Sequence, residues 1–146
     1  MTSRVFAAIV VFNVVVTQVL AAEPQAVPDD LSGQIKALQQ ERIKTLTSLV
    51  ELYVTFYKMG TNTFDAVVYA QNDLVNSRLE SAGTAEERIA VLTEHLKLVE
   101  SLQELADQRF RAGISGQADV YRAKVLCLTT KINLLRERAK QKDTTH

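Results

Sequence analysis

Tryptophan is absent from this chain, cysteine occurs once, and proline occurs only twice, at Pro24 and Pro28. Each shortage excludes something. A single thiol rules out an internal disulfide and any multi-thiolate metal cluster, and Cys127 reads instead as a small buried apolar residue. From Leu31 onward no proline interrupts the chain, which leaves helices free to run long. Five glycines and aromatics at 6% do not suit a sheet protein with many turns. Charge of one sign is lacking as well. Lys plus Arg and Asp plus Glu both total 17, so no basic field points to nucleic acid and no acidic tail to a basic partner. The length, 146 residues, accommodates one domain.

Residues 1–22 differ in kind from the rest. Arg4 supplies a short positive start, and Val5 to Leu20 is almost wholly apolar, interrupted by Asn13, Thr17 and Gln18. The small residues of "VLAAE" stand where a signal peptidase reads, so cleavage after Ala21 or Ala22 is expected. The apolar run, about 16 residues, falls short of the roughly 20 needed to span a bilayer. That favours a cleaved signal over a retained inner-membrane anchor, and the mature chain is expected in the periplasm or associated with the outer membrane. Residues 23–30 hold both prolines and read as a flexible linker.

The remainder reads as four helices. Ile43, Leu46, Val50, Tyr53 and Tyr57 alternate steps of three and four in the first, about Leu31 to Met59, and Leu49, Leu52 and Phe56 widen that face. The second, about Phe64 to Ser81, is more polar. The third, about Ala85 to Ala112, carries Ile89, Leu92, Leu96, Val99, Ala106 and Phe110, with Gln103 at the missing step. The fourth, about Gly116 to Lys140, has two interleaved seams: Val120, Ala123, Cys127, Thr130 and Leu134, and Tyr121, Val125, Leu128, Ile132 and Leu135. A helix with two apolar seams is built to touch more than one neighbour. Between the second and third helices, Gly83 suits a left-handed helix end, and Thr84 with Glu87 forms a capping-box signature. The expectation is an all-α fold of two antiparallel coiled-coil hairpins, 31–81 and 85–140, in a four-helix bundle-like array, with a disordered tail over 141–146.

The two halves resemble each other. One constant offset lays Glu41 on Glu94, Lys44 on Lys97, Leu52 on Leu105, Tyr57 on Phe110, Gly60 on Gly113, Val67 on Val120 and Ala70 on Ala123. The clearest match is between "FYKMGTNTFDAVVYA" and "FRAGISGQADVYRA". Neither is a phosphate loop, because no strand precedes it and no Gly-Lys-Ser/Thr or Gly-x-Gly-x-x-Gly run occurs. Every shared element has a capping role instead. Lys58 and Arg111 sit where cations favour a helix's carbonyl end, and Gly60 and Gly113 tolerate a left-handed backbone. Thr63 and Ser115 are candidate N-caps, with Asp65 and Asp119 in the first turn that follows. Both stretches read as reversals between antiparallel helices.

An aromatic, a base, a glycine, a hydroxyl residue, an acid and a new apolar run, once per half, resembles the repeat of TolC-type outer-membrane efflux proteins. The resemblance covers roughly Glu41 to Arg138. It implies periplasmic helical hairpins whose turns meet an adaptor protein. On that reading, Gly60, Thr61, Asn62 and Thr63, together with Gly113, Ile114 and Ser115, are the candidate partner contacts. No segment alternates apolar and polar residues over the length of a membrane strand, so a short, barrel-less relative is expected.

Catalytic patterns are missing. Of two histidines, His95 reads as a solvated or rim residue of the third helix and His146 lies in the tail. No HExxH, Cys/His cluster or calcium loop occurs, and no nucleophile–base pair can be read. The expectation is a non-enzymatic protein without metal or cofactor. Its partner would be a protein, either an efflux adaptor or another copy joined through coiled coil, and not nucleic acid. Membrane association would come only through partners or an uncleaved signal. The alternative expectation is a stand-alone periplasmic scaffold, chaperone or sensor that binds partner helices.

Overall fold

A computed structural model of the chain describes residues 29–144. The signal-like segment 1–22 and the first part of the linker, 23–28, lie outside the described residues. Four helices follow in order: α1 Asp29–Met59, α2 Phe64–Ser81, α3 Ala85–Arg111 and α4 Gln117–Thr144. They form two antiparallel hairpins, α1 on α2 and α3 on α4, joined along α2 and α3. The fold is all-α.

Local chemistry explains most of the boundaries. α1 and α3 both end in a Schellman motif, where a left-handed residue lets two amides reach back into the last turn. Gly60 has φ +78°; its N–H donates to the Tyr57 carbonyl at 3.0 Å, and the Thr61 N–H to the Phe56 carbonyl at 2.9 Å. Gly113 has φ +71°, with Gly113 N–H on the Phe110 carbonyl and Ile114 N–H on the Arg109 carbonyl, both at 2.9 Å. Thr63 caps α2, its hydroxyl accepting from the Ala66 N–H at 3.4 Å. Thr84 and Glu87 form a reciprocal capping box at the start of α3, at 3.1 and 3.2 Å.

Several expectations are corrected. Gly83 does not adopt a left-handed backbone, since among the described residues only Gly60 and Gly113 have positive φ. The end of α2 is closed by an extended Ala82, and the Gly83 N–H donates to the Glu87 carboxylate at 2.7 Å. Ser115 is not an N-cap: α4 begins at Gln117, and the Ser115 hydroxyl is buried beside the Tyr57 hydroxyl. The linker loses Asp29 and Asp30 to α1, where acids suit the positive end of the helix dipole. The tail loses residues 141–144 to α4, because Gln141 donates to Glu86 of α3 at 2.6 Å.

The core runs the length of the bundle. At the turn end, Tyr57, Phe64, Val67, Leu102, Ala106 and Ala123 pack from all four helices. Val50, Ala70 and Leu74 join α1 to α2. Further along, Val99, Leu126 and Cys127, then Val75, Leu92 and Leu134, join α2, α3 and α4. Ala70, Ala106 and Ala123 are all buried, and their small side chains let the helices approach closely. Ion pairs cross the helix boundaries: Arg42–Glu80 at 3.0 Å, Arg78–Glu94 at 2.6 Å, Arg88–Glu137 at 3.0 Å and Arg122–Asp65 at 3.0 Å. These are mostly exposed pairs that each contribute about 0–1 kcal/mol, so they fix register more than stability.

The buried line of α3 differs from the one read in the sequence. Leu92, His95, Val99, Leu102, Ala106 and Arg109 are buried, a strict three-four alternation that takes in two polar residues. Leu96 and Gln103 are half-buried and Phe110 is exposed. The helix is rotated by about half a residue step, roughly 50°, from the purely apolar choice, and His95 is a core residue rather than a rim one.

At Gly113 only the positive φ disfavours a side chain, because a Cβ there would meet nothing within 4 Å. Gly113→Val is expected to lower unfolding free energy by about 1–2 kcal/mol through the left-handed backbone, while Gly116→Ala changes it by less than about 0.5 kcal/mol. Chemical denaturation checks both, and equal effects at the two glycines would reject the turn assignment.

Candidate functional site

The two reversals lie side by side at one end of the bundle. A cleft of about 270 Å³ is lined from both, by Asn62, Thr63 and Asp65 on one side and Ile114, Ser115 and Asp119 on the other. Beneath it, Arg109 of α3 reaches into the first hairpin. Its guanidinium donates to the Lys58 carbonyl at 2.9 Å and lies over the Tyr57 ring, 4.5 Å from the centroid. The ring's electron-rich face attracts the cation. The carbonyl belongs to the last turn of α1, the negative end of that helix dipole. Phe64 meets the same ring edge-on at 5.2 Å.

Tyr57 also spans the two hairpins, its hydroxyl donating to Asp119 of α4 at 3.2 Å. Burial pushes the phenol above its ordinary value of 10.0, and the Asp119 carboxylate adds to the rise. Asp119 and Asp65 share Arg122, at 3.4 and 3.0 Å. The acids of the cleft are thus balanced by a cation of the same end. Asn62, Thr63 and Ser115 add neutral hydrogen-bonding groups to the lining.

Every turn residue singled out in the sequence falls at this end. Gly60 and Gly113 set the backbone. The Thr61 hydroxyl donates to the Phe56 carbonyl at 3.2 Å, and the Asn62 side chain accepts from the Thr63 N–H at 2.8 Å. Ile114 and Met59 project outward, 60% and 69% exposed. Gly83, Thr84 and Glu87 join α2 to α3 at the opposite end. Sequence reasoning missed Arg109, since Arg111, two residues on, matches Lys58 in the repeat and drew the capping role.

A second concavity, about 570 Å³, lies between α1 and α3 with α2 as its floor, where apolar residues such as Ile43, Val50, Leu74 and Leu98 alternate with polar ones such as Thr47, Glu51, Lys97 and Ser101. Two of its polar side chains are buried. Gln71 is wholly buried and both atoms of its amide lack a hydrogen bond, at a cost of about 1–3 kcal/mol for each unsatisfied group. His95 is 7% exposed. Burial pulls its imidazole down from 6.5 to about 4, with the Arg78 cation acting in the same direction. Arg78 is held by Glu94, whose carboxyl that hydrogen bond keeps below its usual value.

Among the described residues, no group of three or more His, Cys, Asp or Glu is placed to hold a metal ion, and no helix is long and apolar enough to cross a membrane. Comparison with family models, with curated proteins and with solved structures gives no match.

The neutral His95 gives a pH signature. The unfolded imidazole takes up a proton near pH 6.5, whereas the folded one does so only near pH 4. Between those values the unfolded chain binds more protons, so stability falls as pH falls. The full loss is about 3 kcal/mol. Glu94 and Glu137, held low by their basic partners, and Glu86, held low by backbone and Gln141 hydrogen bonds, add to the loss as pH falls through the ordinary carboxylate range around 4.5. Urea denaturation from pH 7 to pH 5 is expected to show this slope in the parent chain and a nearly flat profile in His95→Leu. Identical slopes in both would contradict the buried neutral imidazole.

Proposed function

We propose that this chain is an exported, non-enzymatic helical-hairpin protein, related to TolC-type efflux components. In this reading it acts through coiled-coil contacts in the cell envelope, in the periplasm or at the outer membrane. The observation that supports the reading is the joined turn end. Two similar reversals, each set by a left-handed glycine, are fastened into one surface by Arg109 and Tyr57. That surface presents Thr61, Asn62 and Ile114 to a partner. Both repeats contribute to it, which gives the duplication a use: a single hairpin would offer half the contact.

The groove between α1 and α3 favours a second reading, a stand-alone scaffold or chaperone that takes a partner helix along its side. Its lining runs from Ile43 to Val50 on α1 and from Val91 to Ser101 on α3, long enough to receive about two to three turns.

Photo-crosslinking groups at Asn62 and Ile114, with a third at Leu98 in the groove, separate the two readings in living cells. The efflux reading predicts adducts from Asn62 and Ile114 with a helical-hairpin adaptor protein of the envelope, identified by mass spectrometry. It also predicts a mature N-terminus just beyond Ala21 or Ala22. Adducts confined to Leu98 would move the assignment to the scaffold, and residues 1–21 still attached would reject the cleaved signal.

A further inference from the structure

α4 uses only one of its two apolar seams inside the bundle. Ala123, Cys127, Thr130 and Leu134 are buried. Tyr121, Val125, Leu128, Ile132 and Leu135 are between 48% and 63% exposed. These five follow each other in steps of four and three over about 21 Å of helix. A stripe of that period is the a/d line of a two-helix coiled coil, and no helix of the described chain covers it.

The charges beside this stripe are of one sign. At the g-type positions stand Lys124, Lys131 and Arg138, and at the e-type positions Arg122, Thr129 and Arg136. Lys131 is paired with Glu100 of α3 and Arg122 with Asp65 of α2. Lys124, Arg136 and Arg138 are exposed and make no ion pair among the described residues. In coiled coils the e and g charges choose the partner. An apolar stripe with a wholly basic flank selects a helix with an acidic one.

We propose that this outer seam of α4 docks an acidic amphipathic helix of a partner protein, with apolar a/d residues against Val125, Leu128 and Ile132 and carboxylates against Lys124, Arg136 and Arg138. A second copy of the chain does not answer the charge. α4 against α4 sets Lys and Arg opposite one another, whichever way the helices run. The exposed apolar line of α1 (Leu31, Ile35, Leu38, then Leu52, Phe56 and Met59) is flanked mainly by Ser, Gln and Thr, with Glu41 as its one acid at an e or g position. α3 carries the acids, but most of its apolar residues face the core, and the exposed ones, Leu98 and Phe110, lie too far apart to form a stripe. An anionic membrane surface would accept the cations. A flat sheet of headgroups, however, also meets Asp65 and Glu100, the acids paired with Arg122 and Lys131 beside the seam. The seam is separate from the turn end, and the assignment holds whether or not a partner binds there.

The test uses the full mature chain and a fluorescent three-heptad peptide with Leu at a and d and Glu at e and g. Its counterpart with Lys at e and g is the control. Fluorescence anisotropy is expected to show binding of the Glu peptide and at least tenfold weaker binding of the Lys peptide. Lys124→Glu with Arg138→Glu is expected to reverse that preference, and Leu128→Ser with Ile132→Ser to weaken the Glu peptide at least tenfold. All four changes are at exposed positions, and circular dichroism verifies the helices. Equal binding of the two peptides, or binding of neither, overturns the proposal. So does binding to vesicles rich in phosphatidylglycerol without binding of the Glu peptide. A chain that dimerises in sedimentation runs and loses the dimer with Leu128→Ser would also overturn it, by giving the seam to a second copy.

Discussion

Arg109 carries its charge into the bundle, and the turn end is organised around what that charge requires. An ion withdrawn from water must find partners in the same place, and two lie across the gap between the hairpins: the Lys58 carbonyl and the face of Tyr57. Tyr57 in turn anchors Asp119 through its hydroxyl and Phe64 through its edge. The chain of contacts runs from α3 to α1, then to α2 and α4. It converts two hairpins that touch along α2 and α3 into one unit with both reversals at the same level. The charge-assisted hydrogen bond and the ring contact together contribute a few kcal/mol, enough to offset part of the burial of the guanidinium.

That arrangement breaks the symmetry of the repeat. Tyr57 is buried while its counterpart Phe110 is 43% exposed, because Arg109 rather than Phe110 takes the inward place. The rotation of α3 that admits Arg109 also brings His95 into line, one turn period after another along the same stripe. Two polar residues in a core of Leu, Val and Ala lower stability but restrict register. Gln71, buried without a partner for its amide, adds to that cost from the floor of the neighbouring groove. With the inner faces so occupied, apolar lines are left over on α1 and α4, facing away from each other's hairpin.

Much of this was legible in the sequence. The four helices, the Gly60 and Gly113 reversals, the capping box at Thr84 and Glu87, and the inner seams of α1 and α4 all follow from period and capping chemistry, which are local. What was not legible depended on contacts between helices. In α3, Leu92, Val99 and Ala106 fit either of two adjacent stripes, and hydrophobicity alone selects Leu96 and Phe110 over His95 and Arg109. The stripe was settled by an aromatic face on another helix, at Tyr57, which no pattern within α3 contains. Ser115 and Gly83 failed for a related reason. Their residue types suit a cap and a left-handed turn, but in the folded chain Gly116 precedes α4 and Glu87 takes the Gly83 amide.

The claim that Arg109 and Tyr57 hold the hairpins together is tested most directly by a double-mutant cycle on unfolding free energy, with Arg109→Met, Tyr57→Leu and the pair. The account predicts that the two substitutions fail to add, with a coupling of about 1 kcal/mol or more. Additivity within about 0.3 kcal/mol would contradict it.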